Sequence, residues 1–372
     1  MIFNRGFARV AESLEKGRKH YRLVGGERYC HVVALRADQL QVQVLLSTHI
    51  KIPEKGFLNF HFRLSLRLCP FMPILTMKLN AQPGILQPLP AAGRHLFFTL
   101  THSAQTRSAL TALMPLVDGD TVVAGLGAQL AQALGQTVPG LREFPALTVA
   151  GSGAPVPTTP LALWVWLRSA DRGGLMWTAR RIEQALAPAF VLNSVVDTFQ
   201  YGSGRDLTGY EDGTENPVGD AAIAAALVQG EGQGRDGASF AAVQQWVHDF
   251  DAFERLTPAA RDDAIGRRLR DNEELKNAPA SAHVKRTAQE SFEPSAFVLR
   301  RSMPWARDAQ AGLLFLAFGK SLDAFEVQLR RMAGLDDGIA DAIFGFSKPV
   351  TGAYFWCPPM RDGKLDLSAL GL

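Results

Sequence analysis

LALWVWLRSADRGGLMWTARRIEQALAPAFVLNSVVDTFQY, residues 161–201, reads as strand, helix, strand. The stretch 161–169 predicts the first strand. Residues 171–190 predict a helix that stops near Pro188, and 190–201 predict a second strand. The same rhythm runs upstream. HLFFTL (95–100) is a buried strand, and Leu110, Leu113, Met114 and Val117 follow at helical spacing, with Pro115 as a kink or stop. TVVAGLG (121–127) is a strand ending in a glycine turn, followed by a short helix in AQLAQALG. Downstream, SFAAVQQWVHDF (239–250) is a strand and 257–271 a charged helix. AFVLRRSM (296–303) and AGLLFLAFG (311–319) are strands. Residues 321–334 form a helix capped by Ser321 and ended by Gly334, with Leu322, Phe325, Leu329 and Met332 as its apolar stripe; VTGAYFWC (350–357) is the last strand. Two successive units of this order predict an α+β fold of two ferredoxin-like domains with antiparallel sheets. A parallel doubly wound sheet is the alternative, and the short connection between 303 and 311 favours a hairpin instead.

The whole chain has 372 residues, 47% hydrophobic and 20% charged, with a formal net charge of +3. Disordered and collagen-like chains are excluded by that composition. Charge is uneven: residues 1–76 hold 12 Lys/Arg against 5 Asp/Glu, and 77–372 hold 27 against 31. The larger part has no basic stripe, so nucleic-acid binding is not expected of it. Three cysteines without a CxxC pair indicate neither a disulfide scaffold nor a zinc site, and fit a reducing compartment. No secretory h-region is visible, and the longest apolar run, 68–77, is too short to span a bilayer. A cytoplasmic protein without a membrane partner is the expectation.

Residues 1–76 lack a sustained apolar period, and the texture changes at Met77. They are either a basic extension or lie upstream of a true start at Met77; a partner-binding arm is the third reading. The expected division is therefore 1–76 unassigned, a first domain over 77–205, and a second over 206–372.

Between the two halves lies YGSGRDLTGYEDGTENPVGD (201–220), rich in glycine and carboxylates. Composition alone suits a surface loop in which Asp212–Gly213 and Asn216–Pro217 are turns. Against that, long structureless loops in compact domains usually carry function. No Walker lysine follows, so this is not a phosphate loop. A lone His283 in APASAHVKRT reads first as a polar histidine at an element end; as a ligand it does not suit zinc, which wants three or four, but it suits haem iron, which one imidazole can hold. His248, inside an alternating strand, is expected to be a packing residue. Arg300, at a strand end, needs an anion if it faces inward: Asp212 or a cofactor propionate. Tyr210, Trp246, Trp305 and Trp356 are near these motifs and are expected to be core aromatics.

GYEDGTENP (209–217), then AHVKRT (282–287), then VLRRSMPW (298–305) closely resembles the dye-decolourising peroxidases, in particular the shorter bacterial type B subgroup. QPGILQPLPAAGRHLFF (82–98), VPTTPLALWVWLRSADRG (156–173), QQWVHDFDAF (244–253) and the closing VTGAYFW agree, so the likeness covers 77–372 but not 1–76. The resemblance implies two ferredoxin-like domains with haem b (iron protoporphyrin IX) mainly in the second. It also implies peroxidase chemistry, in which hydrogen peroxide oxidises dyes, phenols or a metal-ion reductant through a ferryl intermediate. By the same resemblance His283 is the iron's axial ligand, Asp212 the distal acid and Arg300 the distal arginine. Ser302 falls where the family has a distal Asn or Ser. Asp341 is a candidate partner of the proximal imidazole, and Arg267 a candidate propionate contact. Family members assemble from dimers upward, implying a homo-oligomer; a tag for encapsulin loading is not expected after RDGKLDLSALGL. A haem-handling protein with little turnover, and a cofactor-free interaction module, are the competing readings.

Overall fold

The computed structural model describes residues 80–372 and, before them, the backbone of four strands: His20–Gly25, Arg28–Leu35, Gln41–Ile52 and Gly56–Arg67. These four pair in chain order as one antiparallel sheet. The expectations for the rest of residues 1–76 fall outside the described residues. Residues 79–372 form a second, separate unit.

In that unit the strands are β1 (Ala92–Leu100), β2 (Val122–Leu126), β3 (Leu163–Ser169), β4 (Phe190–Phe199), β5 (Ser239–His248), β6 (Leu299–Arg300), β7 (Met303–Arg307), β8 (Gln310–Gly319), β9 (Ser347–Pro349) and β10 (Ala353–Cys357). The first four pair in the order β4-β1-β3-β2, all antiparallel. Four strands of the second half pair as β7-β8-β5-β10, also antiparallel. Each seam between the halves is one residue pair wide: Thr198 opposite Trp305, and Trp356 opposite Leu126. Both seams together close eight strands into a barrel, with β6 and β9 attached to β8 and β5. The α+β class and antiparallel pairing match the sequence expectation; the parallel alternative is excluded by the pairing itself.

Closure explains why these strands read as unbroken apolar runs: both faces are buried. Inside lie Phe97, Val123, Trp164, Trp166, Phe318 and Phe355, while Leu96, Phe98, Leu163, Val165 and Leu167 face outward into a second cluster. Helices α1 (Thr106–Leu113) and α3 (Arg172–Leu186) cover the outer face of the first half through Leu110, Leu113, Leu175 and Ile182. Helix α2 (Ala128–Ala133) follows β2. In the barrel interior His95 stacks between Trp164 and Trp166, at ring-centroid distances of 5.9 and 5.7 Å, and Nε1 of Trp164 donates to its Nδ1. Burial pushes the pKa of His95 down to about 3.

Four local expectations are corrected. The stretch 296–303 is not one strand: β6 ends at Arg300 and β7 begins at Met303. The helix expected over 257–271 is α6 (Pro258–Ile265), capped by Thr257 and stopped by Gly266 in the left-handed region at φ +90°. Asp249 does not extend β5 but caps α5 (Phe250–Arg255). The last helix, α8 (Asp323–Met332), starts after Leu322, with Ser321 Oγ accepting from the amide of Asp323. Helices α4 (Asp220–Ala226) and α7 (His283–Arg286) were not anticipated from the sequence.

Candidate active site

The outer face of β5 and β8, unlike that of the first half, is not fully covered. On β5 the period of two brings Gln244, Trp246 and His248 to that face, and on β8 it brings Leu313 and Phe315. Helix α8 supplies Phe325, Leu329 and Met332 from the other side, and the loop 206–212 closes an end. These walls frame a cavity of about 140 Å³ that opens to solvent, its surface mainly apolar. Asp212, His283 and Arg300, far apart in sequence, all line it.

His283 opens the single turn α7. Its Nδ1 donates to Asp341 Oδ2 at 2.7 Å, and the Asp341 side chain is fully buried. Asp341 also accepts from the amide of Ile343, which fixes its carboxylate. Nε2 of His283 makes no hydrogen bond among the described residues. An imidazole held on one nitrogen by a buried carboxylate, with the other free toward an apolar cavity, is suited to donate that nitrogen to a metal.

On β6 the two arginines of FVLRR part company. Arg300 enters the cavity and places Nη1 3.5 Å from Asp212 Oδ1. Arg301 turns away to the carbonyls of Ile85 and Leu86. What sets Arg300 is Asn216: its Oδ1 accepts from the Arg300 amide at 2.8 Å, and its Nδ2 donates to the Arg300 carbonyl at 3.0 Å. One side chain thus satisfies both backbone polar groups of Arg300. Asn216 stands four residues after Asp212, so one loop carries the acid and grips the arginine's backbone. The sequence suggested only a turn there.

Ser302 is buried, and its Oγ accepts from the amide of Leu316; it is not among the residues lining the cavity. Arg267 lines an adjoining cavity that shares Asp212, His283 and Arg300 with the first. Its Nη2 bonds Glu215 at 2.5 Å and its Nη1 the carbonyl of Asn272. Any anion bound by Arg267 must therefore share it with Glu215.

His248 does more than pack. Its Nε2 lies 2.9 Å from Asp206 Oδ1 and its Nδ1 2.8 Å from Ser347 Oγ, and all three line the cavity. Burial works against the Asp206 carboxylate, but hydrogen bonds from His248 and Thr208 more than offset it and hold its pKa below the ordinary value. The chain fixes loop 206–212 onto β5. Tyr210, Trp246, Trp305 and Trp356 are all buried, as expected of core aromatics, and the first two also line the cavity. Among the described residues no group of three metal-ligating side chains occurs, and no helix is long and apolar enough to cross a membrane.

Comparison with known proteins agrees with this arrangement. Residues 203–362, which include every site residue above, match the family model for the Dyp-type peroxidase C-terminal domain. A dye-decolorizing peroxidase of Mycolicibacterium paratuberculosis is 30% identical over 240 residues, covering 58% of this chain and 68% of the relative. Another from Rhodococcus erythropolis is 29% identical over 300 residues, covering 76% and 88%. Among solved structures, a DypB variant of Rhodococcus jostii in complex with heme superposes with a TM-score of 0.69 at 28% identity, covering 75% of this chain and 96% of that one. The dye-decolorizing protein of Vibrio cholerae gives 0.66 at 29%, covering 74% and 96%. By sequence and by structure, the chain belongs to the dye-decolourising (Dyp-type) peroxidase family.

Proposed function

We propose that this protein is a haem-dependent peroxidase of the type B subgroup that reduces hydrogen peroxide and oxidises an organic or metal-ion donor. One observation carries the reading: a single cavity presents an imidazole braced by a buried carboxylate together with an acid and a guanidinium 3.5 Å apart. The residues fit a porphyrin. The cavity wall is mostly apolar, a second cavity adjoins it across Asp212, His283 and Arg300, and Nε2 of His283 is free among the described residues. Haem b would be held by His283, with Arg267 at a propionate. Its iron supplies the two-electron reduction of peroxide and the return of those electrons from a donor.

The protein's part is proton handling and charge. With haem bound, Asp212 would accept a proton from one oxygen of peroxide and return it to the other, which would leave as water. Arg300 places fixed positive charge where the O–O bond polarises; a preorganised donor of this kind is worth roughly 10²–10³ in rate. Asp341 pulls on the Nδ1 proton and makes His283 a stronger donor through Nε2. Ser302, with its hydroxyl on the β8 backbone, sets the strand beneath Arg300. Acid and arginine together in the cavity favour turnover over mere haem carriage.

Each half's strand order supports reading the second unit as two ferredoxin-like domains, 77–205 and 206–372, with haem mainly on the second. Dyes and phenols are the proposed donors, a homo-oligomer in the cytoplasm the proposed state. The test is haem titration and steady-state peroxidase assay of the full chain beside His283→Ala. A Soret band and peroxide-dependent dye oxidation that both depend on His283 support the reading. A protein that takes up no haem, or a variant indistinguishable from wild type, overturns it.

A further inference from the structure

His283 sits on a helix of only four residues with no side-chain cap. One turn does not hold itself in water, so its placement is set by whatever grips it. The strongest grip is at its other end. Arg286 is 4% exposed. Its Nη1 and Nη2 make two parallel bonds to Asp337, each 2.7 Å. The same guanidinium bonds the carbonyl of Arg331 through Nη2 at 2.6 Å and Nε at 3.2 Å. Arg331 is in the last turn of α8, where carbonyls lack helical partners and a cation meets the negative end of the helix dipole. Arg286 therefore caps α8 and clamps the loop that leaves it.

That loop delivers Asp341. The chain turns at Gly334 (φ +70°), passes Asp337, and returns so that the Asp341 amide bonds the carbonyl of Met332. The segments 283–286 and 331–341 are thus joined twice by side chains. On the cavity side the tie is His283–Asp341; three residues further along one segment and four residues earlier on the other it is Arg286–Asp337. A backbone bond from Ala342 to Ser281 is the third link. The Arg286 bond holds the Asp337 carboxyl down to about 2, so the clamp stays ionic through the working pH range. Arg331 does not compete for it: its guanidinium lies over Phe292 and bonds Ser291.

We propose that Arg286, acting through Asp337, is a positioning residue that sets the His283–Asp341 hydrogen bond and with it the electron donation of the imidazole to iron. The proposal rests on the haem reading above. A carboxylate bond to a ligand imidazole tunes the metal only while ring and carboxylate stay in line. Two segments tied at one point can pivot about it; tied at two, they hold the ring's orientation as well as its distance. Arg286 suits this because its fork is rigid and bidentate, which a lysine cannot reproduce.

The test uses the haem-loaded full chain and four variants: Arg286→Met, Arg286→Lys, Asp337→Asn and, as reference, Asp341→Asn. The readouts are the Fe(III)/Fe(II) midpoint potential and the Fe(II)–His stretching frequency. The reference variant raises the potential and lowers the stretch. Asp337→Asn and Arg286→Met move both in the same direction by a smaller amount, and Arg286→Lys restores part of the shift. Asp337 is exposed enough to substitute without unfolding, so it carries the test if Arg286→Met does not fold. Unmoved potential and stretch in Asp337→Asn, while Asp341→Asn shifts both, overturn the positioning role and leave the haem site intact. If Asp341→Asn itself moves neither, the proximal pair is misread and the proposal goes with it.

Discussion

In the proposed function three side chains carry the chemistry, and two measurements separate them. His283→Ala removes the axial nitrogen, so the expected result is loss of haem on gel filtration rather than a slow but loaded enzyme. Asp212→Asn keeps haem and loses less rate than an Arg300 variant, because Arg300 still polarises the far oxygen; stopped-flow mixing with peroxide orders the two. Asn216→Ala leaves the Soret band in place but slows the peroxide step by at least tenfold, because the Arg300 backbone loses both of its side-chain bonds. A wild-type rate in that variant contradicts the role given to Asn216. The roles given to Asp212, His283 and Arg300 were legible through the resemblance of their motifs to the family; residue type alone offered an imidazole that suits iron and an arginine in need of an anion, and composition alone suited a surface loop around Asp212. Asn216 and the Asp206–His248 pair were not legible. Their partners lie 84 and 42 residues away, and an Asn before Pro looks the same whether it makes a turn or grips a strand.

At the level of elements, the short helices decide the site. Helix α6 ends at Gly266, where a Cβ would stand 2.3 Å from Val284 Cγ2 and 3.2 Å from the Ala282 Cβ. Only glycine allows both the left-handed backbone and this approach to the turn that bears His283. Gly266→Ala should cost about 1–3 kcal/mol in chemical denaturation and weaken haem retention as well. Stability loss with unchanged haem affinity would separate α6 from the site. The long, periodic elements, such as α3 and β8, were readable because their pattern repeats over ten residues or more. The single turn α7 has no period to read and exists only through its tertiary ties. The break between β6 and β7 has no periodic signature either, since the register to β8 runs on through it and only the Ser302 hydroxyl, taking the Leu316 amide, marks the place.

For the unit of residues 79–372 as a whole, closure of the barrel is what places an open cavity on one outer face and an aromatic interior behind it. The sequence implied two units of the right order but not the closure, because each seam is a single residue pair. The interior also bears a pH cost. His95 is neutral when folded and binds a proton near pH 6.5 when unfolded, so between about pH 6.5 and 3 the unfolded chain takes up more protons. Stability therefore falls as pH drops through that window. His95→Phe should flatten the thermal midpoint against pH there, and an unchanged slope would place the acid sensitivity elsewhere. Trp164→Ala, which opens the fully buried interior, should cost about 3–5 kcal/mol.

The central claim is that Arg300 and Asp212 act together on peroxide in a cavity that His283 also lines. Stopped-flow absorbance of the haem-loaded chain mixed with peroxide, wild type against Arg300→Leu, tests it most directly. The account predicts matching resting Soret bands and a peroxide reaction at least 10²-fold slower in the variant. Equal rates at equal haem content would contradict it.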